Sequence, residues 1–284
     1  MTGLEPGPFG LTLLVTAAAL LLLMGVTFAV ALRAGKHSVV DTAWGIGIAL
    51  AALTAFLTSA GHGQTERRYL LLGASILWGL RLAGYIGWRN HGRPEDPRYR
   101  DMLARARGNR NLYALRMIYL LQAAILWLAT VPVQAGLLER APWDPAGPLA
   151  VAGAVLFATG FFAETVGDWQ LARFKAGPGR QGQVMDRGLW RYTRHPNYFG
   201  DFCMWWGLFG LSIGSWQELP ALVAPLLMTF ILTRGTGARM TDRRMTASRP
   251  GYAGYVARTS GFIPLPPKRA PERHAAAAVP PERG

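Results

Sequence analysis

The feature that most constrains the fold of this chain is a succession of long apolar runs. A helix needs about 20 mostly apolar residues to cross the hydrocarbon core of a bilayer. The first run contains no charged residue, and its length and the preceding Glu5 argue against a cleaved signal peptide. The runs predict an all-α integral membrane protein with about seven transmembrane helices, at 9–32, 39–59, 69–88, 112–138, 148–166, 198–213 and 219–233.

Composition excludes several other classes of protein. Hydrophobic residues make up 51% of the 284 residues and charged residues only 16%, whereas a soluble domain usually carries about 25% charged residues. A chain this apolar is not disordered, and a single cysteine, Cys203, excludes a disulfide scaffold. The formal net charge is +14, and most of the basic residues that cause it lie in the connectors between apolar runs. A nucleic-acid-binding protein would instead carry them on a soluble basic domain. We therefore predict no nucleic-acid partner, and the sequence indicates no metal site.

The distribution of basic residues predicts the orientation in the membrane. Of the 30 Lys and Arg residues, 25 lie in the segments 33–37, 89–110, 173–194 and 234–284, while the alternating connectors hold three. Cytoplasmic loops are rich in Lys and Arg. The alternation predicts an external N-terminus and a cytoplasmic C-terminus, and it supports the two shortest runs. We expect a single transmembrane domain at 1–263 and a disordered cytoplasmic tail at 264–284.

Ionisable side chains inside the apolar runs indicate a polar interior. Such groups are costly at membrane depth and often mark a functional site. Glu164 and Asp168 are four residues apart and share a helix face, as do Arg81 and Tyr85. Any one of them can instead form a structural ion pair, for example Asp41 with Arg81. Because five such groups share one predicted depth, we favour a pocket that contains Asp41, Arg81, Glu164, Asp168 and Asp201.

The densest group of functional residue types is the segment 188–201, at the start of the sixth run. It contains Arg191, Arg194, His195, Asn197 and Asp201 together with two tyrosines. Arginines beside a helix N-terminus favour an anionic ligand, and tyrosine rings can stack on a flat one. An alternative is that Arg and Trp here only anchor the chain at the membrane interface. That alternative does not account for the order of the His, Asn and Asp residues.

Four stretches resemble a known family. Arg194-His-Pro-Asn-Tyr-Phe-Gly200 is similar to a motif shared by membrane steroid 5-alpha-reductases, sterol reductases and isoprenylcysteine or phospholipid methyltransferases. The segment 249–264 resembles the bacterial domain-of-unknown-function branch of the steroid 5-alpha-reductase family. Asp41-Thr-Ala-Trp-Gly45 and Trp78-Gly-Leu-Arg-Leu82 with Pro97-Arg-Tyr99 resemble the same branch. The resemblance runs from about residue 38 to 264.

This resemblance implies a seven-helix fold in the bacterial inner membrane that binds NADPH from the cytoplasmic side, through about residues 148–263. It implies reduction of a C=C bond in a lipophilic, steroid-, isoprenoid- or fatty-acyl-like substrate drawn from the bilayer lipids. The cofactor-binding positions that it implies are Glu164, Asp168, Lys175, Arg191, Arg194, His195, Asn197, Tyr198, Asp201, Arg234, Arg239, Tyr252 and Tyr255. On this interpretation, Arg194→Ala and Asn197→Ala each weaken NADPH binding without unfolding the protein.

The resemblance also implies catalytic residues. Steroid reductases use a Glu and a Tyr on N-terminal helices to polarise the substrate carbonyl. In this chain Asp41 is the candidate for the acid, and Arg81 is a second candidate electrostatic group. No tyrosine of this chain matches the family position on the helix before Arg81, and Tyr85, one turn after Arg81, is the candidate in its place.

Two further functions remain open. The first is a methyltransferase that uses S-adenosylmethionine and shares the Arg-His-Pro motif. Those enzymes typically carry paired acids after the last span, where this chain has only Asp242 in the basic segment 239–245. The second is a non-catalytic lipid-binding protein that is accessory to a lipid-modifying enzyme.

Overall fold

The computed structural model describes residues 4–180, 182–235 and 237–268. Within these residues every extended regular element is helical, and β pairing is limited to an isolated parallel bridge between Thr193 and Ser260. The all-α prediction is therefore confirmed.

The helices follow one another with short connections. In chain order they are α1 (Pro6–Ala34), α2 (Val40–Thr58), α3 (Thr65–Asn90), α4 (Pro97–Ala104), α5 (Arg110–Ala114), α6 (Leu121–Ala129), α7 (Val131–Leu138), α8 (Pro148–Ala176), α9 (Pro196–Ser212), α10 (Val223–Thr233), α11 (Ala238–Ser248) and α12 (Tyr252–Arg258). A π-helical segment, Leu115–Leu120, joins α5 to α6. Short 3₁₀ turns occupy His37–Val39, Gly188–Arg191 and Trp216–Leu222.

Six helical segments of the described residues are long and apolar enough to cross a membrane, and the protein is accordingly a membrane protein. They overlap six of the seven predicted spans and cover Pro6–Ala34, His37–Thr58, Thr65–Asn90, Arg110–Leu138, Pro148–Ala176 and Trp216–Ser248. The remaining predicted span, 198–213, forms helix α9, which has only 17 residues. That is shorter than the about 20 needed to span the hydrocarbon core. The count of seven and the orientation stay predictions.

The chain divides into two compact units. Unit 1 comprises Met1–Phe161 and Asp201–Phe230, and unit 2 comprises Phe162–Gly200 and Ile231–Gly284. The residues expected to form the cofactor half, 148–263, are divided between the two units, since 148–161 and 201–230 belong to unit 1, and the cofactor half stays a prediction.

The first residues of the expected tail are attached to unit 2. The backbone N–H of Leu265 donates to the carbonyl of Tyr192 at 3.0 Å, and that of Lys268 donates to the carbonyl of Arg258 at 2.9 Å. Leu265 and Lys268 thus have backbone hydrogen-bond partners, and the rest of the expected tail, 269–284, lies outside the described residues.

The core of unit 1 is built around tryptophan. Trp78 of α3 is fully buried, and its ring meets Trp205 of α9 edge to face at 4.8 Å. At one end of the same unit Arg67 is also fully buried and donates to the carbonyls of Ala141 and Ser212. These hydrogen bonds replace water around a charge that would otherwise be costly to bury.

Glycines allow two pairs of helices to touch along their backbones. A Cβ atom added to Gly45 of α2 would lie 2.3 Å from the carbonyl oxygen of Gly79 in α3, and one added to Gly79 would lie 2.5 Å from the oxygen of Gly45. Likewise a Cβ on Gly207 of α9 would lie 2.6 Å from the nitrogen of Phe157 in α8. Small residues at such crossings are typical of membrane helices. Two of the family-like motifs, those at 41–45 and 78–82, therefore contain this helix contact.

We expect Gly45→Ala to lower the free energy of unfolding by about 1–3 kcal/mol, the usual cost of overpacking, because the obstructing atoms are backbone. Gly73→Ala in α3 is the matched control. An added Cβ there meets no atom within 4 Å, and alanine favours helix, so we expect no loss of stability. Unfolding of the purified chain in detergent micelles measures both, and equal stability of the two variants would contradict the close contact.

Candidate functional site

Unit 1 brings two adjacent donors, Arg98 and Tyr99, to Asp41, which is more than 50 positions earlier in the sequence. This residue lies in the first turn of α2. Its Oδ2 accepts a hydrogen bond from Nη2 of Arg98 at 2.8 Å, and its Oδ1 accepts one from the hydroxyl of Tyr99 at 2.5 Å. Arg98 and Tyr99 are adjacent in α4, which begins at Pro97 after the N-cap Asp96. One short capped helix therefore delivers two donors to one carboxylate.

Burial and charge keep both donors protonated. Burial lowers the pKa of Arg98, but the carboxylates of Asp41 and Asp96 outweigh it and raise that pKa above its ordinary value. Burial and then the neighbouring Asp41 carboxylate raise the pKa of Tyr99. Tyr99 therefore remains a neutral hydroxyl, and Arg98 a cation, at any physiological pH. Asp41 is thus ion-paired, which favours a role in orienting these donors over a role as the acid.

The surroundings of Asp41 add further polar contacts. The indole N–H of Trp44 donates to Oε1 of Gln122 at 2.5 Å. His37 Nδ1 lies 3.0 Å from the hydroxyl of Tyr119, which lies in the π-helical segment Leu115–Leu120. Such segments are rare and often occur at functional sites. The beginning of α2, helix α4 and the helical turns around the start of α6 therefore frame one polar region.

Arg81 and Tyr85, the other two catalytic candidates, contact each other on α3. The guanidinium carbon of Arg81 lies 5.4 Å from the centre of the Tyr85 ring, and that of Arg89 lies 5.8 Å from the same ring. These are cation–π distances. The hydroxyl that donates to Asp41 belongs to Tyr99, a residue that sequence analysis noted only as part of a motif. A capped helix start, Asp96-Pro97, in a basic connector was the available signal for it.

Unit 2 is organised around Asp242 of α11. Its carboxylate accepts hydrogen bonds from Nη2 of Arg194 at 2.8 Å and from the hydroxyl of Tyr252 at 2.6 Å, and it lies 2.9 Å from Nε2 of His195. Arg194 also donates to the carbonyl of Thr259 at 2.5 Å. This set of contacts, here called the Asp242 cluster, joins α11, α12 and the segment before α9.

The Asp242 cluster changes the interpretation of several predicted cofactor residues. The side chains of Arg194, His195 and Tyr252 are engaged with Asp242, and the hydroxyl of Tyr255 donates to the carbonyl of Trp190. Burial raises the pKa of both tyrosines, so both remain hydrogen-bond donors. These four residues therefore hold unit 2 together, and their contact with a cofactor stays a prediction. Asp242 itself was missed as a functional residue, although a lone acid in a basic segment was the signal.

A second polar group in unit 2 lies where α8 and α9 meet. Glu164 and Asp168 of α8, which their spacing of four places on one helix face, are each 4% exposed. The side-chain amide of Asn197 donates to Oδ1 of Asp168 at 3.4 Å. The rings of His195 and Tyr198 stack with centres 5.3 Å apart and planes at 15°. Two buried carboxylates of α8, an amide and a flat aromatic surface therefore belong to unit 2, and the amide of Asn197 joins the start of α9 to Asp168.

The other predicted cofactor residues are distributed differently. Asp201 belongs to unit 1. The remaining basic residues have exposed side chains in unit 2, namely Lys175, Arg191, Arg234 and Arg239.

Comparison with known proteins gives one family. A family model described as "Protein of unknown function (DUF1295)" matches residues 27–259. The matched region contains every residue of the Asp41 and Asp242 sets described above. No curated protein and no solved structure matches the chain.

Proposed function

This chain belongs to the DUF1295 family of proteins of unknown function, and we propose that it is an NADPH-dependent reductase of a C=C bond in a lipophilic substrate. The observation that carries the proposal is the group at the start of α9. There the buried acids Glu164 and Asp168, the amide of Asn197 and the stacked rings of His195 and Tyr198 lie within one unit. The resemblance of 194–200 to membrane reductases supports the same activity.

The donor and acceptor set of unit 2 fits NADPH. Carboxylates such as those of Glu164 and Asp168 accept hydrogen bonds from ribose hydroxyls, as acidic residues do in other dinucleotide sites. The amide of Asn197 can both donate to and accept from a carboxamide. The exposed guanidinium groups of Arg234 and Arg239 suit phosphate. NADPH, when bound, supplies the hydride for the reduction.

Unit 1 offers the groups that polarise a substrate carbonyl. When hydride adds to an enone, negative charge develops on the carbonyl oxygen, and fixed donors aimed at that oxygen stabilise it. Arg98 has N–H groups beyond those that contact Asp41 and Asp96, and the one proton of the Tyr99 hydroxyl, which Asp41 accepts here, reaches a substrate oxygen when the hydroxyl turns from Asp41 to the substrate. We therefore propose Tyr99 and Arg98 as the electrostatic groups and Asp41 as their positioning residue, with Arg81 and Tyr85 as the competing assignment.

The methyltransferase alternative is less well supported by the site. Its typical paired acids would lie after the last span, where Asp242 is the acid of α11. That carboxylate is engaged by Arg194, His195 and Tyr252. The surrounding exposed side chains are basic, which suits a polyphosphate better than a sulfonium cation.

Isotope transfer tests the reduction even while the substrate is unidentified. The purified chain is incubated with a bacterial membrane lipid extract and NADPH carrying deuterium at either face of C4. We expect a product lipid with two more hydrogens than its precursor. It should contain deuterium with only one of the two labelled forms of NADPH, because an enzyme transfers hydride from one face of C4. NADPH consumption without deuterated lipid, or no consumption with any lipid fraction, would count against the reductase.

We expect Asn197→Ala to weaken NADPH binding about tenfold, the usual effect of losing a hydrogen bond to a polar partner. The temperature of unfolding should change little, because the side chain makes a long contact with Asp168 and a local one with the backbone N–H of Tyr198. Asn111→Ala, in the exposed helix α5, is the control and should bind NADPH normally. Titration followed by tryptophan fluorescence measures all three proteins, and equal affinity in all three would remove Asn197 from the site.

A further inference from the structure

A basic cavity lies on unit 2, apart from the groups used in the proposed function. Its volume is about 490 Å³, and its lining includes Asp186, Arg187, Arg191, Arg258 and Lys268. Arg258 donates to Asp186 at 2.7 Å, which balances one charge of each sign. The backbone N–H of Lys268 donates to the carbonyl of Arg258, so these two lining residues are joined by a backbone hydrogen bond.

The other three basic side chains of the cavity carry its excess charge. Arg187, Arg191 and Lys268 are exposed, and the described residues provide none of them with a side-chain hydrogen bond or ion pair. Three such cations around one concave surface attract an anion. Guanidinium and ammonium groups together are typical ligands of phosphate.

The turn Gly188–Arg191, which contributes to the cavity, is fixed near the C-terminal end of a candidate membrane span. The backbone N–H of Leu189 donates to Oε1 of Gln170, and the indole of Trp190 donates to the carbonyl of Gly167, both at 3.0 Å. The turn Gly188–Arg191 is thereby fixed to the last turns of α8, a candidate span. With 29 residues, α8 is about 43 Å long, whereas the hydrocarbon core is about 30 Å thick, so α8 is long enough to extend beyond the core.

An exposed tryptophan near this end of α8 favours a position at the membrane–water interface. Trp169 lies between Gly167 and Gln170 on α8, is 56% exposed, and has the Arg173 guanidinium 5.5 Å from its ring. Exposed Trp beside a cation is typical of the membrane–water interface. The segment that lines the cavity is hydrogen-bonded to that same level of the helix.

Apolar side chains lie next to the cavity-lining segments. Tyr192 is 44% exposed, Ile263 60% and Leu265 54%. The hydrogen bond from Leu265 to Tyr192 keeps two of them together. A soluble anion would leave these side chains in water, whereas a phospholipid would cover them with its acyl chains.

We propose that this cavity binds the phosphate of an anionic phospholipid, with its acyl chains against Tyr192, Ile263 and Leu265. Charge complementarity, the interfacial level and the adjacent apolar side chains all favour this occupant. The inference assigns Arg191 to the lipid in place of the cofactor. It does not depend on the reductase activity proposed above.

Native mass spectrometry of the full chain in detergent, with phosphatidylglycerol and phosphatidylcholine in competition, tests the proposal. We expect the wild type to retain phosphatidylglycerol preferentially. The triple variant Arg187→Gln, Arg191→Gln and Lys268→Gln should lose affinity for it by about fivefold for each charge removed and bind phosphatidylcholine as before. The double variant Arg187→Lys and Arg191→Lys keeps the charge and should keep most of the preference.

A matched triple variant controls for general charge. Arg33, Arg105 and Arg107 are exposed arginines of unit 1, and replacing all three with Gln should leave the lipid preference unchanged. An equal loss in both triple variants, or no preference in the wild type, would overturn the proposal. Displacement of phosphatidylglycerol by equimolar NADPH would also overturn it, because the cavity would then hold the cofactor phosphates. Unchanged NADPH affinity in the cavity variant is the expected result.

Discussion

Asp242→Asn is expected to lower the free energy of unfolding by about 3 kcal/mol. The substitution removes the charge that Arg194 faces at 2.8 Å and that His195 and Tyr252 share. Breaking one side of a buried ion pair usually costs about 3–5 kcal/mol because the other charge stays buried. The lower end applies here, since the side chains of Arg194 and Asp242 keep 13% and 20% of their exposure.

Asp186→Asn provides the matched control in the same unit. Its ion pair with Arg258 measures 2.7 Å, close to the 2.8 Å between Arg194 and Asp242, but both side chains are about 40% exposed. Exposed pairs contribute about 0–1 kcal/mol, so this variant should unfold almost like the wild type. Thermal or denaturant unfolding in the same detergent measures both. Equal losses in the two variants, or none in Asp242→Asn, would contradict the structural role of the Asp242 cluster.

The same reasoning changes the expected result for Arg194→Ala. The sequence alone predicts weaker NADPH binding in a folded protein. The contacts of Arg194 with Asp242 and with the carbonyl of Thr259 lead us to expect substantial loss of stability instead. Asn197→Ala is therefore the cleaner test of the cofactor site.

Tyr99→Phe is expected to lower the turnover number of the reductase about 100-fold with NADPH affinity unchanged. Removing one fixed donor from an oxyanion site typically has this effect. The phenyl ring keeps the shape of the buried side chain, and Arg98 still holds Asp41, so the loss of stability should be small. The deuterium-transfer assay, run at saturating NADPH, measures the turnover.

Substitutions of two other tyrosines control for the general effect of removing a hydroxyl group. Tyr69→Phe alters a side chain on α3 that is 64% exposed and should retain full activity. Tyr85→Phe keeps the ring that faces Arg81 and Arg89, and it should also remain active. An inactive Tyr85→Phe beside an active Tyr99→Phe would instead support the assignment made from the sequence.

Local spacing predicted the helices and their faces because both depend on neighbours along the chain. Apolar runs of about 20 residues predicted six of the spanning segments, and a spacing of four predicted that Glu164 and Asp168 share a helix face, on which both are 4% exposed. The same spacing placed Arg81 and Tyr85 in contact. For α9 the apolar pattern predicted the helix, but a 17-residue element falls short of a full span.

Local patterns of this kind could not predict contacts between residues that are distant in sequence. Asp41 and Arg98 are separated by 57 positions, and Arg194 and Asp242 by 48. Which arginine meets which acid depends on how helices pack, and many basic residues of this chain were equivalent candidates. Burial then divides the arginines, since Arg194 is mostly buried within unit 2 while Arg191 opens onto the cavity.

The most direct test of the central claim is a comparison of two cofactors on the purified full-length chain. NADPH and S-adenosylmethionine are titrated separately while tryptophan fluorescence and the unfolding temperature are recorded. We predict saturable binding of NADPH that stabilises the protein, weaker binding in Asn197→Ala, and no binding of S-adenosylmethionine. Tight binding of S-adenosylmethionine without binding of NADPH would contradict the reductase, and binding of neither would favour a non-catalytic lipid-binding protein.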